Sequence, residues 1–278
     1  MRCFNSWRFL DSMSHLARNC SPMPLNYSRQ LAGKSRSRGS NTQLGLVLAF
    51  VAGAINAGGF LAIQQYTSHL TGIVSAMADH LVLGAYHLAL TGCCALLAFL
   101  SGAIFSTVMI QYARRRHLHS QYAFPLLVEA GLLLAFGLLG ARLDHKGGVF
   151  VWSTMVLLTF IMGLQNAVIT KLSNAEIRTT HITGIVTDIG IEIGKLLYWN
   201  RSQAGTVQKV TADMPRLSML VSLALFFFMG GVIGAFGFKH IGYIATVPLA
   251  LVLMALVIVP IADDLKAAFQ QRQGESER

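Results

Sequence analysis

The chain has 278 residues, of which 54% are apolar and only 12% charged, about half the charged fraction of a water-soluble domain. The long apolar runs along the chain then decide the class: a polytopic membrane protein. The net charge of +10 would suit a nucleic-acid binder, but the basic residues fall almost entirely in the tails and between apolar runs, the pattern of positive loops facing the cytoplasm. The expected partner is a lipid bilayer, not nucleic acid.

Residues 1–43 come first, with seven Lys/Arg, one Asp, much Ser and no long apolar core. A secretory signal peptide would need such a core. The segment reads as a disordered basic arm drawn to anionic lipid, or as residues upstream of a start at Met13 or Met23. Residues 44–143 then form a first membrane repeat with apolar runs at Leu44 to Ile63, Leu88 to Tyr112 and Phe124 to Leu143. A second repeat, residues 149–262, has runs at Val149 to Thr170, Leu217 to Phe238 and Ile241 to Ile261. Each run reaches the roughly 20 residues that cross a bilayer. The polar tail, residues 263–278, is expected to fray.

Between the first two runs of each repeat lies a shorter segment, Ser68 to Leu83 and Thr180 to Leu197. These contain Asp79 and His80, or Asp188, Glu192 and Lys195, and fit poorly as lipid-facing spans, since a centrally placed charge costs on the order of 3 kcal/mol. They either pack inside the bundle or fail to cross. Loop charge arbitrates between the two. With six spans and the N-terminus inside, Arg114, Arg115, Arg116, Lys171, Arg178, Arg201, Lys209 and Arg216 lie inside, leaving Arg142, Lys146 and Lys239 outside. With eight spans the triple arginine moves outside and the positive-inside rule fails at its strongest point. Three spans per repeat also make the second repeat enter from the opposite side.

Both short segments open on the same phrase. TSHLTGIVS (Thr67 to Ser75) returns 112 residues later as TTHITGIVT (Thr179 to Thr187), identical at six of nine positions, and GAINA from Gly53 is answered by GLQNA from Gly163. Such self-similarity marks an internal duplication. Thr or Ser before each segment would supply an N-cap oxygen, and Thr71 or Thr183 can bond back to the first turn. A helix that begins inside a membrane leaves free N–H groups that attract an anion or are met by protein. Gly72 and Gly184 would allow a backbone or ligand close approach.

On a helix His181, Gly184, Asp188, Glu192 and Lys195 share an arc of about 80°. That stripe would bind a cation or relay protons. The first copy is plainer, with His69, Gly72, Ala76, His80 and Leu83. Two readings stand side by side. His69, Thr71, His181, Thr183, Asn56 and Asn166 either form an ion or substrate pathway, or clasp helices together by hydrogen bonds worth roughly 1 kcal/mol. Asp188 and Glu192 either belong to that pathway or form internal salt bridges with Lys195 or Arg178.

Other features say less. Glu129, a few residues inside its helix, is expected to snorkel or pair with a loop arginine. His117 and His119 sit in a basic loop without a nearby acid or cysteine, so no metal site is expected. The four cysteines show no CxxC spacing. GGVIGAFG, from Gly230 to Gly237, reads as a packing face. No GxSxG, HExxH or GxxxxGK[ST] occurs, so neither an enzyme nor a cofactor is expected.

The stretches GFLAIQQYTSHLTGIV (Gly59 to Val74) and GLQNAVITKLSNAEIRTTHITGIVTDIGIEIGK (Gly163 to Lys195) resemble the YoaK family of bacterial membrane proteins. A His-x-Thr-Gly phrase recurs there in both halves, matched here by His69, Thr71 and Gly72 and by His181, Thr183 and Gly184. The resemblance implies a multi-pass bacterial inner-membrane protein and supplies no activity or substrate. The expectation is an all-α polytopic membrane protein of about six spans in two inverted repeats, with two short broken or re-entrant helices and both termini cytoplasmic. Its first functional reading is a transporter or permease of a small molecule or ion, proton-coupled through the acidic stripe. The competing reading is a scaffold or sensor whose polar residues only fasten the bundle. The sequence leaves room for a homo-oligomer.

Overall fold

The computed structural model describes residues 38–116, 118, 121–142, 148–173, 177–198, 210–258 and 261–262. The arm before residue 38, the tail from residue 263, and His117 and His119 lie outside the described residues. Among the described residues the secondary structure is entirely helical: α1 (Arg38–Ile63), α2 (Leu70–Val82), α3 (Tyr86–Arg115), α4 (Ala123–Arg142), α5 (Gly148–Leu172), α6 (Ile182–Leu197), α7 (Met214–Ile241), a 3-10 turn (Gly242–Ala245) and α8 (residues 246–258). α1 begins ahead of the first apolar run, so the end of the basic arm is already helical.

Among the described residues five stretches are long and apolar enough to cross a membrane: Asn41–Ile63, Tyr86–Arg115, Ala123–Gly140, Val151–Leu172 and Met214–Ile258. The last has 45 residues, about twice what one crossing needs. It is broken where Gly242 takes φ 61°, a left-handed conformation open to glycine at little cost. Large apolar side chains such as Leu97, Leu100 and Val108 on α3, and Phe228, Val232 and Phe236 on α7, are exposed. That surface is compatible with a lipid solvent.

The core is held by a packing device repeated four times. Phe50 and Gly53 of α1, Phe99 and Gly102 of α3, Phe160 and Gly163 of α5, and Phe227 and Gly230 of α7 each make a Phe-x-x-Gly step. A Cβ added at Gly53 would strike the Phe227 carbonyl oxygen, and one at Gly230 would strike that of Phe50. The same exchange joins Gly102 to Phe160 and Gly163 to Phe99. Glycine is required here because the backbones touch, which favours dispersion and weak Cα–H···O contacts where lipid removes the hydrophobic driving force. Accordingly α1 packs most extensively on α7, and α3 on α5. Gly234 lies against Ala54, so the GGVIGAFG run does form a packing face.

Contact register gives the helix directions. Thr42 meets the Met219 sulfur and Gly58 meets Phe238, so α1 and α7 run parallel. Ala95 clusters with Met155 and Phe99 meets Gly163, so α3 and α5 also run parallel. α1 opposes α5: Asn41 Nδ2 donates to the Leu172 carbonyl at 3.4 Å, while Gly59 faces Leu158. α4 likewise opposes α5, since the Tyr122 hydroxyl donates to the Lys171 carbonyl at 3.5 Å and Glu129 meets Gln165.

Candidate functional site: two helix starts within the bundle

α1 closes at Gln64, whose φ of 56° is left-handed and whose N–H donates to the Phe60 carbonyl at 2.8 Å. The chain then folds back on itself. Ser68 donates to Asn56 Oδ1 through both its N–H (3.3 Å) and its hydroxyl (3.0 Å). Asn56 lies two turns before the end of α1, so α2 begins roughly 10 Å below that end. The second copy repeats this: Thr180 Oγ1 donates to Asn166 Oδ1 at 2.7 Å, and Asn166 Nδ2 donates to the Met162 carbonyl at 2.7 Å. Each short helix thus starts about two turns back from the end of the long helix before it, tied to one of that helix's asparagines.

The capping differs from the sequence expectation. His69 and His181 themselves occupy the N-cap positions, at φ −91°, ψ 66° and φ −89°, ψ 59°, and neither side chain makes a capping bond. The hydroxyls of Ser68 and Thr180 are engaged by the asparagines instead. Each imidazole folds over the glycine three residues on, so that a Cβ at Gly72 or Gly184 would collide with it. The glycines therefore admit the histidine of their own phrase.

α2 packs on α3 and α6 on α7, and each pair borders its own cavity. The first, about 320 Å³, is lined by Tyr66, His69, Gly72, Ile73, His80 and Gly92 among others. The second, about 800 Å³, is lined by Asn41, Ser173, Arg178, Gly184, Asp188 and Arg216 among others. The two phrases therefore face separate spaces. Thr71, His181 and Thr183 are exposed, while Asn56 and Asn166 serve the latches described above.

The acidic stripe of α6 is charge-compensated. Asp188 Oδ2 meets Arg216 Nη2 at 3.2 Å, both side chains about half exposed. Glu192 is 2% exposed and meets Lys195 Nζ at 2.8 Å; its other oxygen accepts the Asp213 N–H at 2.9 Å. The Lys195 hydrogen bond first, then that of Asp213, hold the Glu192 carboxyl below its ordinary value. Asp213 in turn caps α7 by accepting the Arg216 N–H at 3.0 Å. Arg216, 28 residues from Asp188, was not legible as its partner from helical spacing.

Glu129 departs from expectation most. It neither snorkels nor pairs with a loop arginine: it is 0% exposed, and its Oε1 accepts from Gln165 Nε2 at 2.8 Å. The middle of GLQNA thus holds a buried acid of α4. Among the described residues no group of three or more His, Cys, Asp or Glu is placed to hold a metal.

The fold defines an all-helical integral membrane protein. Residues 44–259 match the family model described as "Protein of unknown function (DUF1275)", and the chain belongs to that family. It is 27% identical over 164 residues to the UPF0700 transmembrane protein YoaK of Bacillus subtilis (strain 168), covering 59% of this chain and 71% of that one. No solved structure matches.

Proposed function

We propose that the protein is a small-molecule or ion transporter of the bacterial inner membrane, built from two inverted repeats of three spans. α1, α3, α4, α5, α7 and α8 cross, both termini are cytoplasmic, and α2 and α6 are half-helices entering from opposite faces. The supporting observation is the pair of helix starts latched part-way along the long helices by Asn56 and Asn166, each beside its own cavity. Paired interrupted helices at matching positions of two repeats are a recurrent device of secondary transporters. Opposed directions of α1 and α5, and exchanged packing of α1 with α7 and α5 with α3, fit a pseudo-two-fold in the membrane plane.

A second reading, a scaffold or sensor, draws on the fact that Asn56, Asn166, Asp188 and Glu192 all have protein partners. Single cysteines at Tyr66, Arg115 and Arg178, in a background lacking the native four, separate the architectures by labelling of intact cells. Tyr66 should label from outside, with Arg115 and Arg178 protected. Labelling of all three from outside makes the repeats parallel and removes the architectural support for transport. Ala76→Cys and Ser218→Cys then report on the cavities: reaction with small charged reagents from opposite faces supports a pathway, and protection of both favours the scaffold.

A further inference from the structure

The α6 acids each have a cation; among the described residues Glu129 has none. Its carboxyl is fully buried in the second turn of α4, and its one hydrogen-bond partner among the described residues is the neutral amide of Gln165. Glu129 Oε2 and Gln165 Oε1 are both buried without a partner, and no ion pair among the described residues includes Glu129. Among the described residues the surrounding elements offer nothing to neutralise it. From α5 the facing group is Gln165. Toward the start of α4, about 10 Å along the helix, Arg114 of α3 is engaged by the Tyr122 hydroxyl, beside the Lys171 carbonyl. About 12 Å the other way, Tyr243 and Thr246 pack on Gly137. α8 carries no charged residue.

An ionised carboxylate here would combine an uncompensated charge with two orphan acceptors, the arrangement a low-dielectric interior penalises most. A protonated carboxyl removes the charge and adds a donor beside the two acceptors that have no partner. We propose that Glu129 is a proton-binding site: Oε2 carries a proton in this arrangement, taken up reversibly from water with no other bond changed, and Gln165 positions the carboxyl. Glu129, rather than the compensated stripe of α6, is then the residue through which protons couple to the bundle. Coupling to transport rests on the reading above; protonation of Glu129 does not.

The test is the infrared spectrum of the full chain in phosphatidylcholine vesicles at neutral pH. The wild type should show a protonated-carboxyl C=O band sensitive to deuterium exchange. Glu129→Gln should abolish it. Gln165→Leu, which removes the hydrogen bond to Oε1, should keep the band and move it to higher frequency, and this arm decides if Glu129→Gln fails to fold. Absence of the band in wild type, or its persistence unchanged in both variants, overturns the proposal. So does a band seen only when sodium is replaced by a bulky organic cation, since the two oxygens would then be holding a metal ion. A band present alongside silent flux assays fails the transport reading alone.

Discussion

Gly53 of α1 lies against the carbonyl oxygen of Phe227 in α7, with no room between them for a methyl group. The obstacle is main chain on main chain, which no rotamer change relieves. Gly53→Ala should therefore destabilise the bundle by about 1–3 kcal/mol, the usual range for overpacking, and Gly163→Ala should do the same through Phe99. Gly190 on α6 meets nothing; alanine there should be neutral or stabilise by up to about 1 kcal/mol. Unfolding in mixed micelles by titration with dodecyl sulfate measures all three. Equal tolerance at the three positions would contradict the close crossing.

Asn166 and Thr180 form the plainest of the two latches. Asn166→Ala removes the acceptor of Thr180 Oγ1 and should cost about 1 kcal/mol, the scale of a single interhelical hydrogen bond in a membrane. The loss should be local: amide exchange should accelerate in the first turn of α6 and leave α5 unchanged. Asn56→Ala should act likewise on α2, with an additional penalty because the Ser68 N–H also loses its acceptor. A double-mutant cycle with Thr180→Val isolates the pair.

Much of this was readable from the residues. Long apolar runs placed the long helices because a bilayer demands about 20 apolar residues whatever the fold, and the TSHLTGIVS and TTHITGIVT phrases placed both short helices. Three things were hidden. The four Phe-x-x-Gly steps are invisible singly, because only the partner backbone reveals why glycine is needed. The acids of α6 looked like one continuous stripe on helical spacing, while Arg216 and Asp213 reach them across a chain reversal. Glu129 sat near enough to its helix start to suggest a snorkelling side chain. α4 packs against α5 at that level, so the nearest polar group became Gln165 rather than water.

Glu192 makes the junction of α6 and α7 sensitive to acid. Its carboxyl is held below the ordinary value of 4.5 by Lys195 first and by the Asp213 N–H second. A carboxyl lowered in the folded state contributes stability that is complete above its unfolded value and is lost as pH falls through the folded one. Amide protection at the start of α7, that is, exchange corrected for its intrinsic pH dependence, should therefore stay constant down to about pH 5 and decrease at pH below 4.5. Lys195→Met should move that transition toward 4.5, the ordinary value, and Glu192→Gln should flatten it. A transition unchanged in both variants would assign it to another carboxylate.

Asp188 separates the transport and scaffold readings. Its bond to Arg216 is 3.2 Å long, with both side chains about half exposed, a setting in which an ion pair contributes at most about 1 kcal/mol. Asp188→Asn should therefore leave expression, insertion and unfolding almost unchanged. The same substitution removes a negative charge from the wall of the larger cavity and leaves Arg216 without its counter-ion. If that cavity is part of a transport pathway, solute-driven dissipation of a pH gradient in proteoliposomes should be abolished while the fold persists. If the acid only fastens α6 to α7, flux should be untouched and any effect should appear as a small loss of stability, rescued by Arg216→Gln. The double variant decides: restored stability without restored flux keeps Asp188 in the pathway, whereas recovery of both makes the pair a clasp.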